Sequence, residues 1–348
     1  MSMTFKQTEQ FLRQVIQNDW KRPLFLKGLP GIGKTSLVVQ LGEEYDLEVR
    51  TVIWSQLAPV DVRGVPSVEN GITKWNPPSF IPRGGKGILF LDEFNMAPPA
   101  MQAIGQQLIQ ERQIGDVKIP EGWFIWATGN CSKSQAAVYD MPGPTRNRYS
   151  MIDVEYNIDD FRSYAVRKGV DESILGFLSF QEHYLHKMPN ENEEGQFPTP
   201  RSWFFADDLI KMNLRSINHL ETVIGTGIAT EFVTYCEVLD RLPNKEEIFK
   251  GKDVPYEWPS KDTSLQFAII TSLGLGAKTA VHYVNSIKWM MDKGAKTEYV
   301  VLIMKYMRDV FNVFDPKARS PEFTKLIEAM NKEPHLKELV DKFRDLMS

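Results

Sequence analysis

Five short apolar runs punctuate the first half of the chain: Pro23–Lys27, Val49–Trp54, Gly87–Leu91, Trp123–Thr128 and Met151–Val154. They do not alternate apolar with polar, so each reads as a strand buried on both faces. Helical stretches lie between them, notably Lys34–Tyr45 and Pro99–Arg112. Strands and helices in alternation predict a parallel sheet covered by helices on both sides. In front of the first run, Met1–Lys21 reads as an amphipathic helix whose polar positions include Gln7, Glu9, Gln10, Arg13 and Asp19. That polarity does not suit a signal peptide.

Two interruptions carry hairpin signals. Val65–Glu69 and Ile72–Trp75 flank Asn70-Gly71, a favoured pair for a type I′ turn. Gln113-Ile114 and Val117–Ile119 flank Gly115-Asp116, which suits a type II′ turn. After Glu155 the texture turns helical, with candidates at Asp159–Lys168 and Glu172–Met188. A polar loop, Pro189–Gln196, follows, and another helix starts near Arg201. Pro243–Lys261 reads as a linker or an irregular surface, and the chain from Ser264 to Ser348 as helical with breaks at Gly274, Gly276, Gly294 and Pro316. The expected division is 1–155 for an α/β nucleotide-binding domain, 156–240 for a helical lid and 241–348 for a helical extension.

Composition narrows the class without changing this outline. The 348 residues are 42% hydrophobic and 25% charged, which is ordinary for a globular chain and excludes low-complexity classes. A net charge of -4 does not suit a general nucleic-acid coat. The two cysteines, Cys131 and Cys236, are too few for a disulfide scaffold or a thiolate zinc site. No apolar run reaches the roughly 20 residues of a membrane span. A soluble, cytoplasmic protein is the expectation.

The chemistry is concentrated in two motifs. Gly28-Leu29-Pro30-Gly31-Ile32-Gly33-Lys34-Thr35 fits G-x-x-x-x-G-K-[ST] and sits between a strand and a helix, with Ser36 following. Glycines in such a loop let successive N–H groups turn inward as an anion nest, and the helix N-terminus adds to the attraction. Lys34 is placed to reach the β- and γ-phosphates and the Thr35 hydroxyl to ligate Mg²⁺. The second motif is Ile88-Leu89-Phe90-Leu91-Asp92-Glu93, an apolar strand ending in two carboxylates. Ligands of parallel sheets sit at that edge. There Asp92 suits the metal, and Glu93 suits activation of a water. The bland alternative is an acidic helix start.

With these motifs the chain resembles an AAA+ ATPase of the MoxR type, the group that includes the NorQ, CbbQ and GvpN proteins, over roughly residues 20–240. The segment Phe94-Asn95-Met96-Ala97 looks like the family's "DE-hydrophobe-N" continuation. Ala127-Thr128-Gly129-Asn130 is similar to its sensor 1 strand, which implies that Asn130 bonds the water or γ-phosphate beside Glu93. Met141–Tyr149 resembles the segment that carries an arginine finger acting on a neighbour's nucleotide. Arg148 matches best, and Arg146 is the alternative. Thr199-Pro200-Arg201-Ser202 is similar to sensor 2, with Arg201 contacting the nucleotide from a helix N-terminus, where an arginine opposes the helix dipole slightly. The hairpins resemble the helix-2 insert and the pre-sensor-1 insert, which point toward a ring's central pore.

The resemblance implies a P-loop NTPase fold, ATP and Mg²⁺ as cofactors, and a homo-oligomeric, hexameric ring. It also implies a partner with a von Willebrand factor A domain and a client protein that is remodelled or activated. The alternative is a nucleic-acid- or nuclease-coupled motor similar to McrB, which the charge and the lack of an added DNA-binding domain disfavour. A nucleotide-switch scaffold with little turnover is a third reading, and the intact Glu93 argues against it.

Four features have plainer readings. His183 and His186 lie three apart on the expected helix but lack further ligands for a metal. Asn244-Lys245-Glu246-Glu247 reads as a helix cap and a solvated helix start. Cys131 reads as a small packing residue, and Trp289, Met290, Met291, Met304 and Met307 as core.

Overall fold

The apolar runs assemble into one sheet. The structure, a computed structural model, describes residues 2–115, 117–131, 139–141, 143–189, 195–239, 241–311, 324–325, 328 and 330–331. It divides into two units, Met1–Asn157 and Ile158–Ser348.

The first unit runs β1 (Ser2–Thr4), α1 (Phe5–Gln17), β2 (Leu24–Gly28), α2 (Lys34–Glu44), β3 (Glu48–Ile53), α3 (Pro59–Arg63), β4 (Val65–Glu69), β5 (Ile72–Asn76), β6 (Gly87–Asp92), α4 (Pro99–Glu111), β7 (Gln113–Ile114), β8 (Val117–Lys118), β9 (Trp123–Asn130), α5 (Gly143–Arg146) and β10 (Ser150–Glu155). Six strands form a sheet in the order β1-β10-β2-β9-β6-β3, with every pair parallel. Consecutive residues alternate between the two faces. Leu24, Leu26, Ile88, Phe90, Phe124 and Trp126 therefore pack with Leu12 and Val15 of α1 and with Leu37, Val38 and Leu41 of α2. Phe25, Leu89, Leu91, Trp123, Ile125 and Ala127 pack on the other face with Met101, Leu108 and Ile109 of α4. This is the expected α/β P-loop NTPase fold, a parallel sheet with helices on both faces.

The amino-terminal segment differs from the expected single helix. Ser2–Thr4 is a strand beside Asp153, Val154 and Glu155. The helix starts only at Phe5, because Thr4 caps it. The Thr4 hydroxyl accepts the Gln7 N–H at 3.3 Å, and the Gln7 side chain accepts the Thr4 N–H at 2.9 Å. This reciprocal capping box fixes the start. Both expected hairpins form. Asn70 and Gly71 have φ of 54° and 76°, as a type I′ turn requires. In the second hairpin Asp116 lies outside the described residues.

The second unit is helical: α6 (Ile158–Arg167), α7 (Glu172–Phe180), α8 (Pro200–Lys211), α9 (Ile217–Ile224), α10 (Thr226–Leu239), α11 (Lys245–Phe249), α12 (Thr263–Gly276), α13 (Ala280–Asp292) and α14 (Thr297–Val310). Three expectations change here. The helix expected over Glu172–Met188 stops at Phe180, and Glu182–Tyr184 is a separate tight turn. Tertiary bonds hold that turn: Trp203 Nε1 donates to the Tyr184 carbonyl at 2.8 Å, and the Tyr184 hydroxyl donates to Glu231 at 2.6 Å. His183 and His186 therefore share no helix face. Gly274 does not break α12. It lies where a Cβ would come within 2.7 Å of the Tyr306 ring, so its smallness serves close packing. Pro243–Lys261 is not a linker either, since Asn244 caps α11 and Ile248, Phe249 and Trp258 are buried in the unit's core. The break at Gly294 is observed between α13 and α14, with φ of 88°. Pro316 lies outside the described residues.

Candidate functional site

The site is built at the carboxyl edge of the sheet, where β2, β6 and β9 end side by side. The loop after β2 turns through Gly31 and Gly33, whose φ of 76° and 94° would strain any residue with a side chain. Between them Ile32 is buried against the β2 face and anchors the loop. Gly28 is buried, Leu29 and Pro30 are half-buried, and Ser36 is exposed. Lys34, the first residue of α2, is 9% exposed and donates to the carbonyls of Gly28 at 3.1 Å and Leu29 at 2.8 Å. Its ammonium thus lies within the loop it would serve.

Asp92 ends β6 and joins three elements. Its Oδ2 accepts the Thr35 hydroxyl at 2.8 Å, and its Oδ1 accepts the hydroxyl of Thr128 on β9. Oδ1 also accepts the Glu93 N–H at 2.9 Å. Glu93 has φ of 55°, left-handed for a residue with a Cβ, at a cost of roughly 1–2 kcal/mol. Strain of this kind clusters at functional sites. The Glu93 carboxylate accepts the Ser55 hydroxyl at 2.6 Å. Thr35 and Asp92 thus present oxygen donors together, the donor type a hard divalent cation takes. Among the described residues no cluster of three or more His, Cys, Asp and Glu could hold a metal by itself. Thr35 and Asp92 are the residues that would hold a Mg²⁺ ion here.

Asn130 ends β9. Its side chain donates to Met96 Sδ at 3.0 Å rather than to Glu93. Asn95 pairs with the Asn130 main chain in both directions, at 2.7 and 3.0 Å. Arg146 ends α5 and is exposed, while Arg148 is half-buried. Arg148 Nη1 is buried with no hydrogen-bond partner among the described residues. Beside it Tyr149 is buried in edge-to-face contact with Phe25 and Phe94, and that burial pushes its phenol well above the usual range. Phe94 lies between Glu93 and Asn95, so this aromatic cluster is continuous with the site. Arg201 is the second residue of α8 in the second unit and is exposed. Thr199 caps that helix by accepting the Ser202 N–H at 3.1 Å.

The structure therefore brings together Lys34, Thr35, Asp92 and Glu93, and places Asn130 one strand away. Sequence reasoning gave no role to Ser55 or to the Thr128 hydroxyl. The available signal was positional: Ser55 follows, and Thr128 closes, an apolar strand run that flanks the acidic strand, and both are polar.

Residues 23–119 match the model of the family described as AAA domain (dynein-related subfamily). No curated protein matches the chain. Among solved structures, NtrX from Brucella abortus in complex with ADP is 13% identical, covering 86% of this chain and 68% of that one with a TM-score of 0.40. The RuvB Holliday junction branch migration motor of Thermotoga maritima is 14% identical, covering 83% and 86% with a TM-score of 0.37. The family match spans the phosphate loop and the acidic strand, so this stretch of the chain is similar to an AAA domain of the dynein-related subfamily.

Proposed function

We propose that the chain is a ring-forming AAA+ ATPase of the MoxR type that hydrolyses Mg²⁺-bound ATP between subunits and remodels a partner protein. The supporting observation is the Thr35–Asp92 hydrogen bond at 2.8 Å with Glu93 next in the chain, which sets phosphate loop and acidic strand side by side. In this reading the residues from Gly28 to Ser36 surround the phosphates. Lys34 leaves the loop carbonyls for the β- and γ-oxygens. Thr35 and Asp92 hold Mg²⁺, which when bound neutralises charge on the transferred phosphoryl group. Glu93 leaves Ser55 and takes the proton of the attacking water, which Asn130 helps to orient. An arginine of a neighbouring subunit, Arg148 or Arg146, stabilises the transition-state charge. The exposure of Arg146 suits action across an interface better than the half-buried Arg148 does. Arg201 is assigned to nucleotide sensing.

The β4–β5 hairpin is proposed as the surface that meets the client. Val65, Val68 and Ile72 are 69, 74 and 71% exposed. Apolar side chains on both faces of an isolated hairpin mark a contact surface. A von Willebrand factor A protein is the proposed partner.

The test mixes subunits. Glu93→Gln and Arg146→Ala, each inactive alone, should recover hydrolysis when combined, at interfaces pairing an intact Glu93 with an intact Arg146; Arg148→Ala is mixed in parallel. Absence of recovery in both mixtures would sink action in trans. Affinity capture with Glu93→Gln in ATP and Mg²⁺, with Lys34→Ala as control, addresses the partner. Retention of DNA or a nuclease instead of a protein client would move the reading to the McrB-like class.

A further inference from the structure

Asn95, two residues past Glu93, is 5% exposed and uses both halves of its amide on one target. Its Nδ2 donates to the Asn130 carbonyl at 2.7 Å, and its Oδ1 accepts the Asn130 N–H at 3.0 Å. Gly129 leaves the space for this, since a Cβ there would lie 2.3 Å from Asn95 Oδ1. The Asn95 carbonyl in turn accepts the Tyr139 N–H at 2.9 Å. Next to it, Met96 Sδ accepts the Asn130 side chain at 3.0 Å. The turn that follows Glu93 therefore grips Asn130 on one side. On the other it grips Tyr139, at the head of the chain that leads into α5, Arg146 and Arg148.

We propose that Asn95 is a positioning residue for hydrolysis: it holds Asn130, and the approach to Arg146 and Arg148, at fixed places relative to Glu93. This rests on the reading above in which Glu93 activates water. Asn95 acts in this proposal through the Asn130 main chain and the Tyr139 N–H. Its two-way bond makes the end of β9 and the Glu93 turn move as one piece. A side chain that merely fills the space would leave Asn130 free to shift, and small misplacements at a reacting centre cost up to about 100-fold in rate.

The experiment measures ATP turnover, binding of a fluorescent ADP analogue and melting temperature for wild type, Glu93→Gln, Asn95→Ala and Asn95→Asp. Asn95→Ala should lower kcat by about 10- to 100-fold. Its nucleotide Kd should stay near wild type. Asn95→Asp supplies a readout that packing alone would not move. An ionised carboxylate keeps the acceptor for the Asn130 N–H but loses the donor to the carbonyl, and a protonated carboxyl regains it. Burial beside a carbonyl favours the protonated form, so the carboxyl introduced by Asn95→Asp would titrate above the ordinary range of about 3.9. The ratio of Asn95→Asp to wild-type kcat should therefore rise several-fold as pH falls from about 8 to about 5.5. The proposal is overturned by a flat ratio, by unchanged kcat in a folded Asn95→Ala, or by a loss confined to Kd. Should Asn95→Ala not fold, the pH ratio of Asn95→Asp decides. An active wild type with an inactive Glu93→Gln and an unaffected Asn95→Ala sinks this proposal alone; a wild type without turnover sinks the hydrolytic reading as well.

Discussion

At the carboxyl edge of the sheet, polar groups are packed inside: Lys34, Asn95 and Thr128 are all buried. On the β4–β5 hairpin of the same unit, apolar groups stand outside, with Val65, Val68 and Ile72 mostly in water. Each region reverses the ordinary rule for its residue types. Burying a polar group costs free energy unless it is hydrogen-bonded, and here Lys34, Asn95 and Thr128 are each bonded to named partners. Exposed apolar area costs roughly 25 cal/mol per Å² relative to burial, and nothing in the hairpin's own sheet recovers it. These are the two places where the proposed function sets its reaction and its client surface. The difference between the places is informative. The buried polar network demands fixed geometry, as a reaction does. The exposed hairpin demands only surface, as a variable partner does.

The comparison can be broken in four ways, from the largest expected effect down. Glu93→Gln should lower kcat by about 10²- to 10⁴-fold with nucleotide binding retained, as a lost general base does; steady-state hydrolysis and equilibrium binding check both parts. Gly129→Ala should destabilise the first unit by about 1–3 kcal/mol, because its methyl group meets Asn95 Oδ1 and Phe25. A denaturant midpoint equal to wild type would contradict the tight packing at that edge. Ser55→Ala frees the Glu93 carboxylate from its hydrogen bond, so basal kcat should rise by about tenfold, close to the lower end of what one bond to a charged group is worth. A fall in kcat would instead give Ser55 a positive role. Val68→Ser with Ile72→Ser should alter stability by less than about 0.5 kcal/mol, since neither side chain is packed. A large loss on thermal melting would show that the hairpin is covered in the free protein.

The fold and the site were not equally legible in the sequence. Strands such as Gly87–Asp92 announce themselves because both faces are buried and every residue is apolar until the carboxylate. The phosphate loop is a contiguous motif, and the Asn70-Gly71 turn carries its own backbone requirement. Ser2–Thr4 was not legible, because three residues show no period and the strand exists only through its pairing with β10. The end of α7 at Phe180 is set by Trp203 and Glu231, remote partners that no local pattern contains. Gly274 illustrates the reverse: a residue that commonly ends helices is retained because Tyr306 fills the space a side chain would need. Ser55 escaped notice because its meaning depends on β3 lying beside β6.

The strand order has a consequence for synthesis on the ribosome. β2, which carries the phosphate loop, pairs with β9 and β10. Leu24 meets Trp126 and Ser150 in the sheet, so the second-made strand waits for two made much later. At about 5–20 residues per second that wait is on the order of ten seconds. During it, of the six strands of the main sheet only β3 and β6 can join as neighbours. The nucleotide site is therefore a late product of translation. A nascent chain stalled before β9 emerges should present Leu24, Phe25 and Leu26 to chaperones rather than a phosphate loop to ATP.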